Sequence, residues 1–147
     1  TEIFHHMPVA EIFPGVLPLM QKIKDAGITI GVVTGSGQRP LFKRLLNDFD
    51  GFLTEDHIVT AYDVERGKPA PDVYLAAAAA LKVDPLRCLV VEDTVTGVVA
   101  GVAAGATVVG YSPSALGHGT PEALCAAGAV RVIHDMAELP ALLGAMR

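Results

Sequence analysis

Cys88-Leu89-Val90-Val91-Glu92-Asp93-Thr94 is the stretch that decides the fold. An apolar run ends in two adjacent carboxyls, and a Gly/Ala-rich segment follows at once. A short apolar run bounded in this way reads as a strand buried on both faces, with the acids at its carboxyl end. Two adjacent anions repel one another and lose hydration, so the pair is stabilised where a cation neutralises it, most often a hard divalent ion with oxygen ligands. Glu92 and Asp93 are therefore expected to form half of a Mg²⁺ site. The competing reading makes them helix-start acids satisfied by backbone N–H groups.

Two similar places lie upstream. Ile30-Gly31-Val32-Val33-Thr34-Gly35-Ser36 brings a hydroxyl and small residues to a strand end, and Gly67-Lys68-Pro69 brings a cation. Hydroxyl, cation and metal carboxylates together describe a phosphate site, with Thr34, Gly35, Ser36 and Lys68 as its candidates. Ser36 serves equally well as the cap of a following helix. Asp63 and Asp72 read as residues that cap or order their turns. His5, His6, His57, His118 and His134 show no metal-ligand spacing.

Working outward, the chain alternates strands and helices. A helix over Val16 to Ala26 ends at Gly27, a strand covers Ile28 to Val33, and a helix begins near Pro40. Phe52 to Thr60 reads as irregular or a short strand, and Pro71 to Lys82 as a helix. After a turn at Asp84-Pro85 come strand Cys88–Val91, helix Thr96–Ala104 and strand Thr107–Tyr111. A short helix over Glu122–Ala127, strand Val130–Ile133 and a last helix from Met136 complete the series. Strands separated by helices of this length imply an α/β fold with a parallel sheet, whose ligands bind beyond the carboxyl ends of the strands.

Composition narrows the partners. The chain has 147 residues, enough for one domain, with 51% hydrophobic and only 5% aromatic residues. A net charge of −5 without a basic stripe excludes nucleic acid and anionic lipid as expected partners, leaving a small phosphorylated metabolite. Cys88 and Cys125 read as two buried thiols rather than a disulfide framework, and no signal peptide is evident, so the cytoplasm is the expected compartment. Gly97, Gly101 and Gly105 repeat every four residues like a membrane dimerisation face. The stretch is mostly Gly and Ala and abuts Glu92-Asp93, so no membrane span is expected; the glycine face lets a helix backbone lie close to the sheet.

Thr34-Gly35-Ser36, Gly67-Lys68-Pro69-Ala70-Pro71-Asp72 and Val91-Glu92-Asp93-Thr94 with Gly97, Gly101 and Gly105 resemble motifs two, three and four of the haloacid dehalogenase (HAD) superfamily, in its β-phosphoglucomutase-like branch. The resemblance implies a Rossmann-like core over residues 13–147, with helices on both faces of a parallel sheet and residues 1–12 as a linker or remnant of the cap's return. It implies a Mg²⁺-dependent phosphomonoester hydrolase or phosphomutase working through an aspartyl-phosphate. Thr34 and the Gly35 N–H would bind the phosphoryl group, Lys68 would bridge nucleophile and phosphate, and Asp93 with Glu92 would hold Mg²⁺ directly or through water. A cis Lys68–Pro69 peptide is part of the same expectation.

The chain departs from the family pattern at its start. The first motif, an apolar strand ending Asp-x-Asp-Gly that supplies the nucleophile and general acid, does not precede Thr34. Asp48-Phe49-Asp50-Gly51 imitates it, but Leu41 to Asn47 reads as an amphipathic helix rather than a buried strand, and the order of motifs is wrong. The expectation is thus a core lacking its central first strand and its cap, prone to self-association through the strand edges this leaves. A noncatalytic fragment or pseudoenzyme is the alternative. A phospho-accepting receiver domain fits less well, because there the acids come first and the lysine last.

Overall fold

A computed structural model describes residues 29–34, 55–113, 119–139 and 141–142, together with positions 21, 25 and 27. Two short strands, β1 (Val32–Thr34) and β2 (Ile58–Thr60), pair in parallel with Val32 opposite Ile58 and Thr34 opposite Thr60. Three more, β3 (Leu89–Glu92), β4 (Thr107–Tyr111) and β5 (Arg131–Ile133), form a second parallel set in that order, with Glu92 opposite Gly110 and Tyr111 opposite Ile133. Helices α1 (Asp72–Leu81), α2 (Val95–Ala103) and α3 (Pro121–Ala127) occupy the connections before β3, β4 and β5. The expected α/β alternation is therefore present, with the elements from α1 to β5 within a residue or so of their expected bounds. The strand expected over Ile28 to Val33 is shorter and starts at Val32, and the segment 52–60, expected irregular or a short strand, has its strand at Ile58–Thr60. Of the helix expected at 16–26, Gln21 and Asp25 are described, and both are helical. The helix expected from Pro40 and the Asp48–Gly51 segment lie outside the described residues.

Local chemistry sets the boundaries. The Thr94 hydroxyl accepts from Gly97 N at 3.1 Å, and the Thr120 hydroxyl accepts from Ala123 N at 3.1 Å, so α2 and α3 both start on a threonine cap. Pro121 follows Thr120 at a position where a missing N–H costs nothing. Helix α1 stops at Lys82, whose left-handed backbone (φ 58°) turns its N–H onto the Ala78 and Ala79 carbonyls. At the expected Asp84-Pro85 turn, Asp84 caps the segment Pro85–Arg87 by accepting from Leu86 N. From Met136 the chain makes a 3₁₀ turn, Met136–Glu138, held by Glu138 accepting from His134 N and Asp135 N.

Burial explains the small side chains. Val90, Val91, Val108 and Val109 are buried, as a strand between two covered faces requires. A Cβ on Gly101 would lie 2.7 Å from Val108 Cγ2, and one on Gly97 would lie 1.9 Å from Glu92 Cδ. The glycine face of α2 thus meets the sheet. No helix among the described residues is long and apolar enough to cross a membrane. The expected pair of buried thiols is corrected by half: Cys88 is half-buried, but Cys125 is exposed, because Leu124 takes the inward position on the short α3.

The two strand pairings are related through α1. Gly31, just before β1, faces Leu81 in the last turn of α1, while Glu92 at the end of β3 meets Tyr74 in its first turn. The last turn of α1 thus touches the start of β1, and its first turn the end of β3. Among the described residues no hydrogen-bonded strand joins β1 to β3. A half-open pocket of about 1010 Å³ borders both strands, with Gly31, Val33, Leu89, Val91, Ala78 and Leu81 among the residues that line it.

Candidate phosphate and metal site

The site is built where three segments converge at the carboxyl end of β3. Lys68 arrives on a loop held at both ends. Ala70 N donates to Gly67 O at 3.0 Å, the Lys68–Pro69 peptide is cis as expected, and Asp72 accepts from Arg66 N, Nε and Nη2 at 3.3, 3.3 and 2.9 Å. Asp72 therefore orders the Lys68 turn. Asp63 does the same one turn earlier, accepting from Thr60 N at 2.8 Å while the Thr60 hydroxyl accepts from Tyr62 N.

Lys68 Nζ donates to Glu92 Oε2 at 2.9 Å, with the lysine side chain 15% exposed and the glutamate side chain fully buried. The Tyr74 hydroxyl donates to the same oxygen, and the Tyr74 ring lies 5.1 Å from Nζ. The other oxygen, Oε1, accepts from Asp93 N at 3.2 Å, Thr94 N at 3.4 Å and Thr94 Oγ1 at 3.1 Å. Thr94 Oγ1 in turn accepts from Gly97 N, so the cap of α2 is also a support of the site. Glu92 was expected to hold Mg²⁺ beside Asp93. In the structure both its oxygens are engaged by protein donors, and its charge is balanced by Lys68. Strand alternation accounts for this: Val90 and Glu92 share the face toward α2, where Gly101 and Gly97 make room, and Asp93 falls beyond the strand end.

Burial and charge act on the other groups. Burial lowers the Lys68 ammonium below its ordinary value, and the Glu92 charge offsets only part of that. The Asp93 carboxyl is pushed up to about 7, first by burial and then by the charge of Glu92, with Lys68 opposing. Tyr74 is raised well above 10.0 by burial and then by Glu92, so its hydroxyl stays a donor. Asp93 is 3% exposed. A hard cation beside it would relieve both causes of its raised value, so Asp93 fits a divalent metal in charge and donor type. It supplies only part of a donor set: no cluster of three or more His, Cys, Asp or Glu able to hold a metal occurs among the described residues.

Of the residues expected in the site, Lys68, Glu92 and Asp93 come together. Thr34 ends β1, level with Thr60 of β2, and its side chain lies outside the described residues, as do Gly35 and Ser36. Tyr74 was not anticipated. An aromatic in the first turn of an otherwise alanine-rich helix, two residues past Asp72, was the available signal.

Comparison with known proteins gives the family of the chain. A sequence model of the haloacid dehalogenase-like hydrolases matches residues 4–105. Hexitol phosphatase A of Escherichia coli (strain K12) is 40% identical over 102 residues, 69% of this chain and 46% of that protein. The β-phosphoglucomutase of Bacillus subtilis (strain 168) is 35% identical over 111 residues, 76% of this chain and 46% of that protein. A HAD family hydrolase from Deinococcus radiodurans R1, solved with bound phosphate and sodium, superposes with a TM-score of 0.78 at 35% identity, covering 89% of this chain and 58% of that one. The chain thus spans about half the length of the curated relatives it matches. With its parallel strands, its Gly-Lys-Pro loop and its buried Lys68–Glu92 pair, the chain belongs to the haloacid dehalogenase-like hydrolases, in the branch that includes β-phosphoglucomutase.

Proposed function

We propose that this chain carries the phosphate- and Mg²⁺-binding half of a phosphomonoester hydrolase or phosphomutase acting on a small phosphorylated metabolite. The observation that carries the reading is the Lys68–Glu92 pair, 2.9 Å apart and buried beside Asp93 at a strand's carboxyl end. In the chemistry proposed, a carboxylate oxygen attacks the phosphorus, the ester oxygen leaves as the alcohol after taking up a proton, and water then hydrolyses the acyl phosphate to restore the carboxylate. Lys68 offsets negative charge on the phosphoryl oxygens, and Glu92 holds that ammonium at its station. Thr34, the last residue of β1, and Gly35, the next in sequence, would donate hydrogen bonds to the same oxygens. Asp93 would hold Mg²⁺, which when bound screens the phosphate from the surrounding carboxylates.

Metal binding tests the assignment of Asp93 without requiring turnover. Because Asp93 is only part of the usual carboxylate set, Mg²⁺ is expected to bind in the millimolar range. The binding should be lost in Asp93→Ala and kept in Asp72→Asn, whose carboxyl serves the Lys68 turn. Titration calorimetry or NMR line shifts read it. Equal binding by wild type and Asp93→Ala would remove Asp93 from the site.

A further inference from the structure

Two donors share one oxygen in this site. Lys68 Nζ and the Tyr74 hydroxyl both point at Glu92 Oε2, and the Tyr74 ring lies 5.1 Å from the ammonium. Tyr74 is 5% exposed and belongs to the first turn of α1, beside buried Val73. Its hydroxyl therefore takes up acceptor capacity on Glu92 that would otherwise fall to Lys68 alone. Its ring offers the ammonium a second, weaker attraction from the side. An ammonium that must bind a phosphate cannot be held too tightly by its own carboxylate.

We propose that Tyr74 is a positioning residue for Lys68, its hydroxyl moderating the grip of Glu92 and its ring steadying the ammonium so that Lys68 can engage a phosphoryl oxygen. The phosphate role of Lys68 is taken from the function proposed above; the control of Lys68 by Tyr74 stands on the geometry. Removing the hydroxyl leaves Oε2 to Lys68, which is drawn further onto Glu92 and away from an incoming anion. Removing the ring as well withdraws the lateral support.

The test uses the full chain with Mg²⁺ and orthophosphate, comparing wild type, Tyr74→Phe, Tyr74→Leu and Lys68→Gln. Calorimetry gives phosphate affinity, and NMR of the Lys68 side chain (¹⁵Nζ correlated with ¹³Cε) reports the ammonium directly, a signal that a purely structural role would leave in place. Tyr74→Phe is expected to bind phosphate about tenfold more weakly, because phosphate must then draw Lys68 from a tighter hold on Glu92, and to shift the Lys68 resonance. Tyr74→Leu should lose more. Wild-type affinity in folded Tyr74→Phe, or an unmoved Lys68 resonance, would overturn the proposal. If wild type and Lys68→Gln bind phosphate equally, or neither binds, it is the phosphate reading that fails, and the Lys68 resonance alone then judges Tyr74. Should the Phe variant not fold, labelling wild type with 3-fluorotyrosine decides: a more acidic hydroxyl should displace the Lys68 resonance, and no displacement counts against the proposal.

Discussion

Gly97→Ala should dismantle the site from its second layer. A Cβ at this position would meet Glu92 Cδ at 1.9 Å and both carboxylate oxygens at 2.2 Å. Those atoms are the centre of the network rather than the far end of a mobile chain, since Lys68, Tyr74, Thr94 and the Asp93 N–H all hold them. Glu92 must therefore leave its pocket or α2 must lift from the sheet. Either outcome separates Lys68 from its buried counter-charge, and the expected loss of stability is about 3 kcal/mol or more. Thermal melting measures it, with Gly67→Ala as the control: a Cβ on Gly67 meets nothing within 4 Å. Gly101→Ala should cost less, because the Val108 methyl it approaches at 2.7 Å belongs to a purely apolar contact. If Gly97→Ala melts like wild type, the close packing of α2 over Glu92 is wrong.

The second large effect concerns the slot between β1 and β3. These strands are not joined by a hydrogen-bonded strand among the described residues, and both border a pocket of about 1010 Å³. Unpaired strand edges carry backbone N–H and C=O groups that recruit other chains. A synthetic apolar peptide of strand length ending in Asp-x-Asp-Gly, added in trans, is expected to enter parallel to β1 and β3 and pair with both. Its carboxyl end would then emerge beside Glu92 and Lys68. The expected result is a melting temperature several degrees higher and a shift of self-associated chain toward a 1:1 complex, read by melting and by light scattering. A chain that is already monomeric and cooperatively folded, and whose melting the peptide leaves unmoved, would contradict the strand-slot reading.

How far the residues alone reached differs between fold and site. The alternation from α1 to β5 was legible because each strand is an apolar β-branched run and each helix is bounded by a hydroxyl cap, a proline or a glycine. The glycine spacing of α2 was read correctly as a close approach to the sheet, and the structure adds what lies beneath it: the carboxylate of Glu92 at Gly97 and the methyl of Val108 at Gly101. The division of labour between Glu92 and Asp93 was not drawn from their adjacency. It follows from the strand's two-residue alternation once β3 is seen to end at Glu92, which turns that side chain inward with Val90 and leaves Asp93 beyond. Tyr74 was hidden for another reason. It reaches Glu92 across 18 residues of sequence, a contact made by the packing of α1 on the strand ends, which local pattern does not encode. The exposure of Cys125 escaped because a seven-residue helix has too few turns for its inward stripe to be read from sequence.

Phosphate release in the presence of the strand peptide tests the central claim most directly, that Lys68 and Asp93 are the working half of a phosphoryl-transfer site. The chain alone, with Mg²⁺ and p-nitrophenyl phosphate, is expected to show no meaningful turnover. With the Asp-x-Asp-Gly peptide bound, release should rise above the peptide-only background, and it should return to that background in Lys68→Ala, in Asp93→Ala and when the first aspartate of the peptide is replaced by asparagine. Release by the chain alone that survives Lys68→Ala and Asp93→Ala would contradict the account, as would a peptide complex of proven stability that releases no phosphate.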